Sequence, residues 1–458
     1  MTFLTQLGSE MNRTARTENG AVTLRTTNNP LVDFFALAGS TRGNPELGLD
    51  LFKKAFAYDK QAAIRVLFYL RDIRGGQGER ELFRNCLEYL AVNEKETSDK
   101  IVNLVPEYGR WDDIFGLHVE TILPIIKTQL EADKESDNPS LLAKWLPSEN
   151  TSSKKTQTLA RGMAKALGLS PRQYRKMLST LRAKIKLVEH NMSKREWGAI
   201  DYETVPSQAG LKYRKAFSRN DAERYVSYLE SVKKGDAKIN TSTLYPHQVY
   251  KAVGTPGAEE MWANLPDYTM GKNAIVVADV SGSMWGDPMA VSVSLALYFA
   301  ERNEGAFKDH FITFSGNPTL QKVIGTSLRD KMNSIERAKW GHNTNLYRVF
   351  ECVANAATNA DDVPETIYII SDMEFDSCAD LTNFEAIDEL FKTKERPNLV
   401  FWNVDARNKQ VPVEQNQYGV TLVSGLSPST FKLAVENLSP LDLVMQVVNS
   451  ERYANIEV

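Results

Sequence analysis

The fold of the C-terminal half is decided by the stretch Ala274-Ile275-Val276-Val277-Ala278-Asp279-Val280-Ser281-Gly282-Ser283-Met284. Its apolar, β-branched run predicts a strand buried on both faces, followed by a polar loop at the carboxyl end. Asp279, Ser281 and Ser283 alternate along this loop and can converge on one point, and Gly282 is predicted to permit a tight turn. A carboxylate and hydroxyls suit a hydrated Mg²⁺ ion with an open coordination position.

Two later segments can complete the same site. Gly341-His342-Asn343-Thr344-Asn345 precedes a predicted helix, and Thr366-Ile367-Tyr368-Ile369-Ile370-Ser371-Asp372 is a second buried-strand pattern ending in a carboxylate. Ligands of open α/β sheets bind at the carboxyl ends of strands, where the strand order changes direction. We therefore expect Asp279 and Asp372 to lie close together.

The three segments together resemble the metal-ion-dependent adhesion site (MIDAS) of von Willebrand factor A domains. The resemblance implies first-loop ligands Asp279, Ser281 and Ser283, a second-loop ligand Thr344 and a third-loop ligand Asp372. The implied ion is Mg²⁺, or another divalent cation such as Mn²⁺ or Ca²⁺.

Alternative roles exist for several residues near this site. An aspartyl phosphatase nucleophile at Asp279 is disfavoured because the second carboxylate that such enzymes use two residues later is replaced by Ser281. Loop packing or a partner contact is favoured over metal binding for His342, because Mg²⁺ prefers oxygen. Glu374 and Asp376 are either groups behind the ligands or solvated side chains.

The composition is that of a globular protein, with 42% hydrophobic residues and a length of 458 residues that allows two or three domains. No apolar stretch reaches membrane-spanning length, and the first residues lack the zones of a signal peptide. Cys86, Cys352 and Cys378 show neither zinc nor redox spacing. We expect a cytoplasmic protein without a membrane partner.

The N-terminal part is predicted to be helical. Residues 1–30 are polar and predict an extended arm with short strand pairing near Ala21–Leu24, and residues 31–264 have helical periodicity with modest loops. This pattern predicts an irregular α-solenoid of HEAT-like repeats. The Gly75–Gly78 cluster is predicted to be a helix end and turn, because it lacks the Lys-Ser/Thr ending of a phosphate-binding loop.

Charge is distributed unevenly along the chain. Residues 265–458 contain 16 Lys and Arg against 26 Asp and Glu, whereas residues 1–264 contain 39 against 32. Between residues 154 and 195 the only acidic residue is Glu189, and a second basic segment follows it. We predict nucleic-acid binding, with RNA favoured over DNA because no DNA-reading motif occurs. The predicted RNA-binding residues are Lys154, Lys155, Arg161, Lys165, Arg172, Arg175, Lys176, Arg182, Lys184, Lys186, Lys194, Arg195, Lys212, Arg214, Lys215 and Arg219. The alternative is a solvated face neutralised by the acidic C-terminal part.

Residues 265–458 alternate between strand and helix patterns. Helices are predicted near residues 289–303, 327–338, 346–357, 384–394 and 440–449, and strands near 274–278, 311–314, 367–370, 399–404 and 420–423. Such alternation predicts a doubly wound, mainly parallel sheet with right-handed crossovers.

The order of a helical repeat domain and a von Willebrand A-like domain is similar to the Ro autoantigen family, whose helical part is called the TROVE domain. Arg71-Asp72-Ile73-Arg74-Gly75-Gly76-Gln77-Gly78-Glu79-Arg80, Trp111-Asp112-Asp113 and Ser371-Asp372-Met373-Glu374-Phe375-Asp376 look like uncharacterised proteins of plants, bacteria and viruses. In Ro proteins the repeats form a ring that binds small structured RNAs and single-stranded ends. The resemblance implies a ribonucleoprotein role without establishing ring closure.

Three functions follow as hypotheses. The first is a non-enzymatic RNA-binding protein that holds small structured or single-stranded RNA, with a metal site that either takes a carboxylate from a partner protein or stabilises the loops. The second is a metal-dependent interaction module or a viral or phage assembly module without RNA. The third, a metal-dependent hydrolase, lacks an evident general base or second metal site.

Overall fold

A computed structural model of the protein describes residues 13–185, 187–269, 273–314, 318–336, 345–357, 359, 363–377, 381–392, 396–434 and 438–458. The N-terminal part is helical and the C-terminal part is a mixed α/β sheet domain. This is the order of parts that the sequence predicts. No helix of the described residues has both the length and the apolarity needed to cross a bilayer.

Before the first sheet strand of the C-terminal part, the chain contains a short hairpin and fifteen described helices. The hairpin strands are β1 (Thr14–Arg16) and β2 (Val22–Leu24), paired antiparallel as the arm pattern predicts. The helices are α1 (Pro30–Ala38), α2 (Pro45–Tyr58), α3 (Lys60–Arg71), α4 (Glu81–Asn93), α5 (Lys95–Ile101), α6 (Val105–Tyr108), α7 (Val119–Glu135), α8 (Leu142–Trp145), α9 (Lys154–Ala166), α10 (Pro171–Lys184), α11 (Val188–Lys194), α12 (Ser207–Asn220), α13 (Ala222–Lys234), α14 (Pro246–Tyr250) and α15 (Ala258–Ala263).

Capping residues fix where several of these helices begin. Asn29 accepts hydrogen bonds from the first turn of α1, and Pro30 takes the first helical position, where its missing N–H costs nothing. Ser170 and Gln173 form a capping box at the start of α10, as the Ser170-Pro171 pair indicates. Local sequence therefore marks these boundaries, and at Asn29 a tertiary contact adds to the cap, because its side-chain amide donates to Gln415 at 2.9 Å.

The C-terminal part is a six-stranded sheet flanked by helices. Its strands are β3 (Ala274–Asp279), β4 (His310–Phe314), β5 (Thr319–Lys322), β6 (Thr366–Ser371), β7 (Asn398–Asn403) and β8 (Val420–Ser424), in the spatial order β5-β4-β3-β6-β7-β8. The described helices are α16 (Asp287–Arg302), α17 (Leu328–Glu336), α18 (Leu346–Ala356), α19 (Asn383–Leu390) and α20 (Pro440–Val448). All pairings are parallel except that of β5 with β4.

The sheet confirms the doubly wound prediction, with one strand that the sequence patterns did not predict. The chain leaves β3 toward β4 on one side and continues from β6 toward β7 on the other, so the direction changes between β3 and β6. The edge strand β5 was missed because its exposed positions interrupt the apolar pattern. Helix α19 ends at Leu390, earlier than predicted, and residues 393–394 of that prediction lie outside the described residues.

The helical part and the sheet share one hydrophobic core. Helix α1 packs on β8, and α20 packs on both α1 and α3. The loop of Gly75–Gly78 lies in this junction, where Gln77 donates to Tyr69 Oη and Thr430 Oγ1, both at 2.9 Å. A Cβ atom on Gly76 would lie 1.8 Å from the carbonyl oxygen of Tyr69, so only glycine fits there. The glycine cluster is the predicted turn, and it joins the two parts.

A second, smaller core lies in residues 188–232 and is separate from the shared core. Val188, Ile200, Tyr202, Val205, Phe217, Tyr225 and Leu229 form it, and Tyr202 packs on the rings of Phe217 and Tyr225. It holds α11, α12 and α13 together with few residues. The basic segment predicted to bind RNA therefore begins on the shared core and ends on a small one.

Candidate functional site

Asp279 is the last residue of β3 and is completely buried. Its Oδ1 accepts a hydrogen bond from the backbone N–H of Ser281 at 2.9 Å, and its Oδ2 accepts one from Ser371 Oγ at 2.5 Å. Burial and the negative charge of Asp372 raise the pKa of Asp279 to about 6. Two carboxyl groups therefore lie close enough to repel one another where β3 and β6 end.

The other described ligands of the predicted site lie around Asp279. The hydroxyls of Ser281 and Ser283 are 2.9 Å apart. Asp372 follows β6 directly, and its Oδ1 accepts from the N–H of Glu374 at 3.2 Å. Its Oδ2 is buried and accepts no hydrogen bond from any described residue. The structure thus brings together four of the five predicted ligands, and Thr344 lies outside the described residues, as does His342.

Backbone conformation at the loop after β6 supports a functional role. Met373 follows Asp372 with a φ of 66°, a left-handed conformation that is rare for residues other than glycine. Its N–H donates to Ser371 Oγ at 3.0 Å, which holds the conformation in place. Strained residues of this kind occur where a fold fixes a functional loop.

One detail of the sequence interpretation is corrected. The left-handed turn in the loop after β3 falls on Gly286, with a φ of 99°, and not on Gly282. No described atom lies within 4 Å of a Cβ placed on Gly282, so that position does not require glycine for space. The predicted reason for Gly282 is therefore wrong, although the loop itself lies where it was predicted.

The donor set fits a hard divalent cation. It consists of two buried carboxylates, one of which keeps an unused oxygen, and two hydroxyls that already lie side by side. No group of three or more His, Cys, Asp or Glu side chains that could hold an ion occurs among the described residues. The predicted site has two carboxylates and completes its ligands with hydroxyl groups. A cluster of three such side chains is therefore not required for it.

Two residues near the site, Ser371 and Arg407, were missed by sequence reasoning, and the structure decides between the two roles considered for Glu374. Ser371 donates to Asp279, and the guanidinium of Arg407, in the loop after β7, lies with its Nε 3.6 Å from Asp372 Oδ2. Glu374 is 2% exposed and accepts hydrogen bonds from the side chains of Asn408 and Gln410, both at 2.9 Å. It is therefore a buried acceptor behind the loop, not a solvated side chain. A signal for Arg407 was available, because loops after neighbouring parallel strands meet at one edge.

The basic segment presents most of its predicted residues to solvent. Lys154, Lys155, Arg161, Lys165, Arg172, Arg175, Lys176, Lys194, Arg195, Lys212, Lys215 and Arg219 are exposed. Among the described residues, Arg175 is the member of this set that forms an ion pair, at 2.5 Å from Glu149. No described acidic side chain of the C-terminal part forms an ion pair with these residues.

Three predicted residues are used within the chain instead. Arg182 donates to the carbonyl oxygens of Ala143 and Leu146, both at 2.8 Å. Lys184 donates to two carbonyl oxygens at the end of α7, and Arg214 donates to Thr255 Oγ1 at 2.6 Å. Periodicity could not separate these residues from exposed ones, because their acceptors are distant in sequence. Lys186 lies outside the described residues.

Two family profiles match the chain. "Domain of unknown function (DUF2828)" matches residues 17–105 and 170–280, and "Domain of unknown function (DUF7788)" matches residues 273–453. Each profile covers less than half of the chain, so neither defines its family by itself.

A relative with the same extent as the chain defines its family. "Uncharacterized protein L728" of Acanthamoeba polyphaga mimivirus is 30% identical over 497 residues, covering 94% of this chain and 86% of that protein. The chain belongs to the same protein family as L728. The resemblance to uncharacterised viral proteins that the sequence motifs carry is confirmed by this match.

The similarity to Ro proteins is also found by comparison with solved structures. The crystal structure of the Deinococcus radiodurans Ro (RSR) protein aligns over 92% of this chain and 99% of that chain, with 14% sequence identity. The TM-score is 0.38, which does not by itself establish a common fold.

Proposed function

We propose that the protein binds RNA through the exposed basic side chains of α9 to α12. One observation carries the proposal. Of the exposed basic residues named above, Arg175 alone has an ion-pair partner among the described residues. Unneutralised positive charge attracts polyanions, and small structured or single-stranded RNA is the expected ligand.

The placement of charge along α9 supports a ligand at this surface. Lys154 and Lys155 occupy its first turn, after the N-cap Ser153, where the helix dipole is already positive. Basic residues at that end destabilise an isolated helix, so their presence favours a role outside helix stability. Lys212 lies 5.0 Å from the ring centroid of Tyr213, which combines charge with an aromatic face of the kind that stacks on bases.

The proposal also includes a fold type for each of the two parts. We infer that residues 31–264 are a HEAT-like, TROVE-like solenoid and that residues 265–458 are a von Willebrand factor A-like domain. The strand order supports the second assignment: counted from β3, it is the 3-2-1-4-5-6 order of doubly wound sheets. Among the described residues, Cys86 and Cys352 have free thiols, which fits the proposed cytoplasmic location because disulfides are rare there.

The second proposed function is a metal-dependent adhesion site at the carboxyl ends of β3 and β6. The specific observation that favours it is the unused, buried Oδ2 of Asp372 beside the repelled carboxyl of Asp279. Asp279, Ser281, Ser283 and Asp372 would hold Mg²⁺ or a similar cation, with Thr344 as a further proposed ligand. A bound cation supplies an open coordination position for a partner's carboxylate. The proposed role is non-enzymatic.

Filter binding tests the RNA proposal. The purified protein is titrated with an RNA hairpin, a single-stranded RNA and duplex DNA of equal length at two salt concentrations. We expect both RNAs to bind in preference to DNA, with affinity that falls steeply as salt rises. Absence of salt-sensitive RNA binding would remove the proposal and leave the metal-dependent interaction module as the remaining function.

Titration with Mn²⁺ followed by electron paramagnetic resonance tests the metal proposal. We expect one bound ion in the wild type and none in Asp279→Asn or Asp372→Asn. Equal Mn²⁺ binding by the wild type and both variants would contradict the proposed ligand set.

A further inference from the structure

Arg407 links the two loops of the candidate metal site. Its Nη2 donates to the carbonyl oxygen of Ser283 at 2.7 Å, and its Nε lies 3.6 Å from the unused Oδ2 of Asp372. The side chain is 33% exposed, so one side of the guanidinium faces solvent. The loop after β7 therefore places a fixed cation at the open edge of the site.

The N-terminal arm supplies a third contact to this guanidinium. Nη1 of Arg407 lies 3.0 Å from Oε2 of Glu18, in the turn between β1 and β2. The backbone N–H of Glu18 donates to Glu374 Oε2 at 2.5 Å, and Thr17 Oγ1 donates to the carbonyl oxygen of Phe375 at 2.6 Å. Because the arm is fixed to the loop after β6, the carboxylate of Glu18 is held beside Arg407.

An exposed tryptophan lies on the same edge. Trp285 directly follows the loop that carries Ser281 and Ser283, and it is 86% exposed. Tryptophan and arginine are the residues that most often carry binding energy at protein interfaces, where they become covered by the partner. An indole left in water beside a metal loop and an arginine is therefore a candidate anchor for a partner.

We propose that this edge docks an acidic protein segment, whose carboxylate pairs with Arg407 in place of Glu18 and whose apolar side chain covers Trp285. The proposal deepens the proposed metal site and rests on it for the ion that would attract a second carboxylate. Glu18 occupies the arginine in the free protein and must leave it before the partner binds. The arm is thus an internal competitor of the partner.

Charge around the edge favours a protein segment over RNA. Residues 265–458, which include the loops of this edge, contain 26 acidic against 16 basic residues, and Asp372 and Asp405 lie close to Arg407. A continuous phosphate backbone would be repelled by these carboxylates along its whole length, whereas a short acidic segment brings only a few charges, which Arg407 and the ion can pair. A single carboxylate fits a planar guanidinium well, because two N–H donors of the guanidinium can bind its two oxygens.

Fluorescence anisotropy with a labelled Glu-Asp-Phe-Glu-Leu peptide in saturating Mn²⁺ tests the proposal. Releasing Arg407 by Glu18→Gln should tighten peptide binding by about fivefold, the upper range for a partly exposed ion pair. Arg407→Gln should weaken binding about fivefold and abolish the gain in the double variant, and Trp285→Ala should also weaken it. The matched control is Glu414→Gln, which breaks the ion pair of Arg13 and Glu414, and it should leave affinity unchanged.

The outcomes separate this proposal from the proposed metal site. Mn²⁺ binding is measured independently for each variant, and peptide binding is repeated in chelator. If the wild type does not bind Mn²⁺, the proposed metal site is contradicted but the docking proposal is not. Opposite effects of the Glu18 and Arg407 changes on peptide affinity in chelator still support competition between Glu18 and the peptide for Arg407. The docking proposal is overturned if no variant binds the peptide, or if neither the Glu18 change nor the Arg407 change alters the peptide affinity. Displacement of the peptide by RNA in an Arg407-dependent manner also overturns it.

Discussion

The buried charges of the helical part and its junction with the sheet differ from the charges on α9 to α12 in how they are neutralised. Asp113 accepts from Arg71 and Arg84 inside the helical part, and Asp72 accepts from Arg452 and Tyr453 at the junction. On α9 to α12 most basic groups are exposed and lack a described ion-pair partner. Buried charges require partners because leaving water is costly, whereas exposed charges do not. The first group therefore stabilises the fold, and the second is available to a ligand.

The candidate metal edge combines features of both groups. Asp279 and Asp372 are buried like Asp72 and Asp113, but one oxygen of Asp372 remains without a hydrogen bond from a described residue. Both oxygens of Asp72 and of Asp113 accept hydrogen bonds, whereas this oxygen has only the guanidinium of Arg407 nearby, at 3.6 Å. The difference between these carboxylates is the physical basis for distinguishing a structural charge from a binding charge.

The largest expected effect comes from breaking a buried ion pair of the helical part. Asp113→Ala would leave the buried guanidinium of Arg71 without its counter-charge, and we expect a loss of about 3–5 kcal/mol in the free energy of unfolding. Urea unfolding measures this loss. The control Asp99→Ala removes an exposed pair with Lys95 and should change stability by less than about 1 kcal/mol. Equal effects of the two changes would contradict the distinction between the groups.

A buried histidine at the junction gives the second effect. The pKa of His247 is lowered from 6.5 to about 4. Burial is the main cause, the positive charges of Arg42 and Lys251 add to it, and the negative charge of Asp287 opposes it. The unfolded chain therefore binds this proton at a higher pH than the folded chain. The stability that neutral His247 contributes is fully present above pH 6.5. As the pH falls from 6.5 toward 4, this contribution is lost and the free energy of unfolding falls by about 3 kcal/mol.

Unfolding of His247→Phe at pH 7 and pH 4 checks this expectation. The variant keeps a ring beside Tyr245 but has no group to protonate, so its stability should fall less between the two pH values than that of the wild type. A fall equal to that of the wild type would show that other groups cause the acid sensitivity.

Metal binding at the sheet edge gives the third effect. At an ion concentration one hundred times the measured Kd, binding should add about 2.7 kcal/mol to the free energy of unfolding. Asp372→Asn should abolish this gain, as followed by thermal unfolding with Mg²⁺ and with chelator. Asp388→Asn removes a more exposed carboxylate paired with Arg396 and should retain the gain. A gain that survives Asp372→Asn would place the ion elsewhere.

The smallest expected effect is on RNA affinity. Replacing Lys154, Lys155, Arg161 and Lys165 of α9 with Gln should weaken RNA binding about thirtyfold and lower the salt slope by about 3, because phosphate contacts are lost. Filter binding at several salt concentrations measures both quantities. The matched control replaces Lys54, Lys60, Lys95 and Lys100, which form surface ion pairs, and should preserve affinity. An unchanged affinity in the α9 variant would contradict the proposed surface.

Particular residues show how far sequence reasoning reached. The buried strands β3 and β6 and the loops after them were predicted because fully apolar runs that end in polar residues mark parallel strands. The meeting of Asp279 and Asp372 followed from the rule for strand ends. Glu18 and Trp285 were not predicted, because nothing local to their segments indicates that they lie beside the strand ends. Arg407 could have been expected near the site, because it follows the parallel strand next to β6.

The basic segment illustrates a second limit. Sequence counted Arg182, Lys184 and Arg214 with their neighbours, whereas the structure gives their donors to acceptors within the chain. Counting charges along a chain measures how many are present. It does not measure which of them remain exposed after helices pack.

The sequence alone determined the order of a helical part and a doubly wound sheet, the helix caps and the approximate position of the candidate metal loops. These features depend on periodicity, capping and strand ends, which act over a few residues. Tertiary structure alone decided that the two parts share one core, that the Gly75–Gly78 turn joins them and that Glu18 reaches Arg407. Those contacts join residues hundreds of positions apart, and their energy depends on which surfaces are buried together when the chain folds.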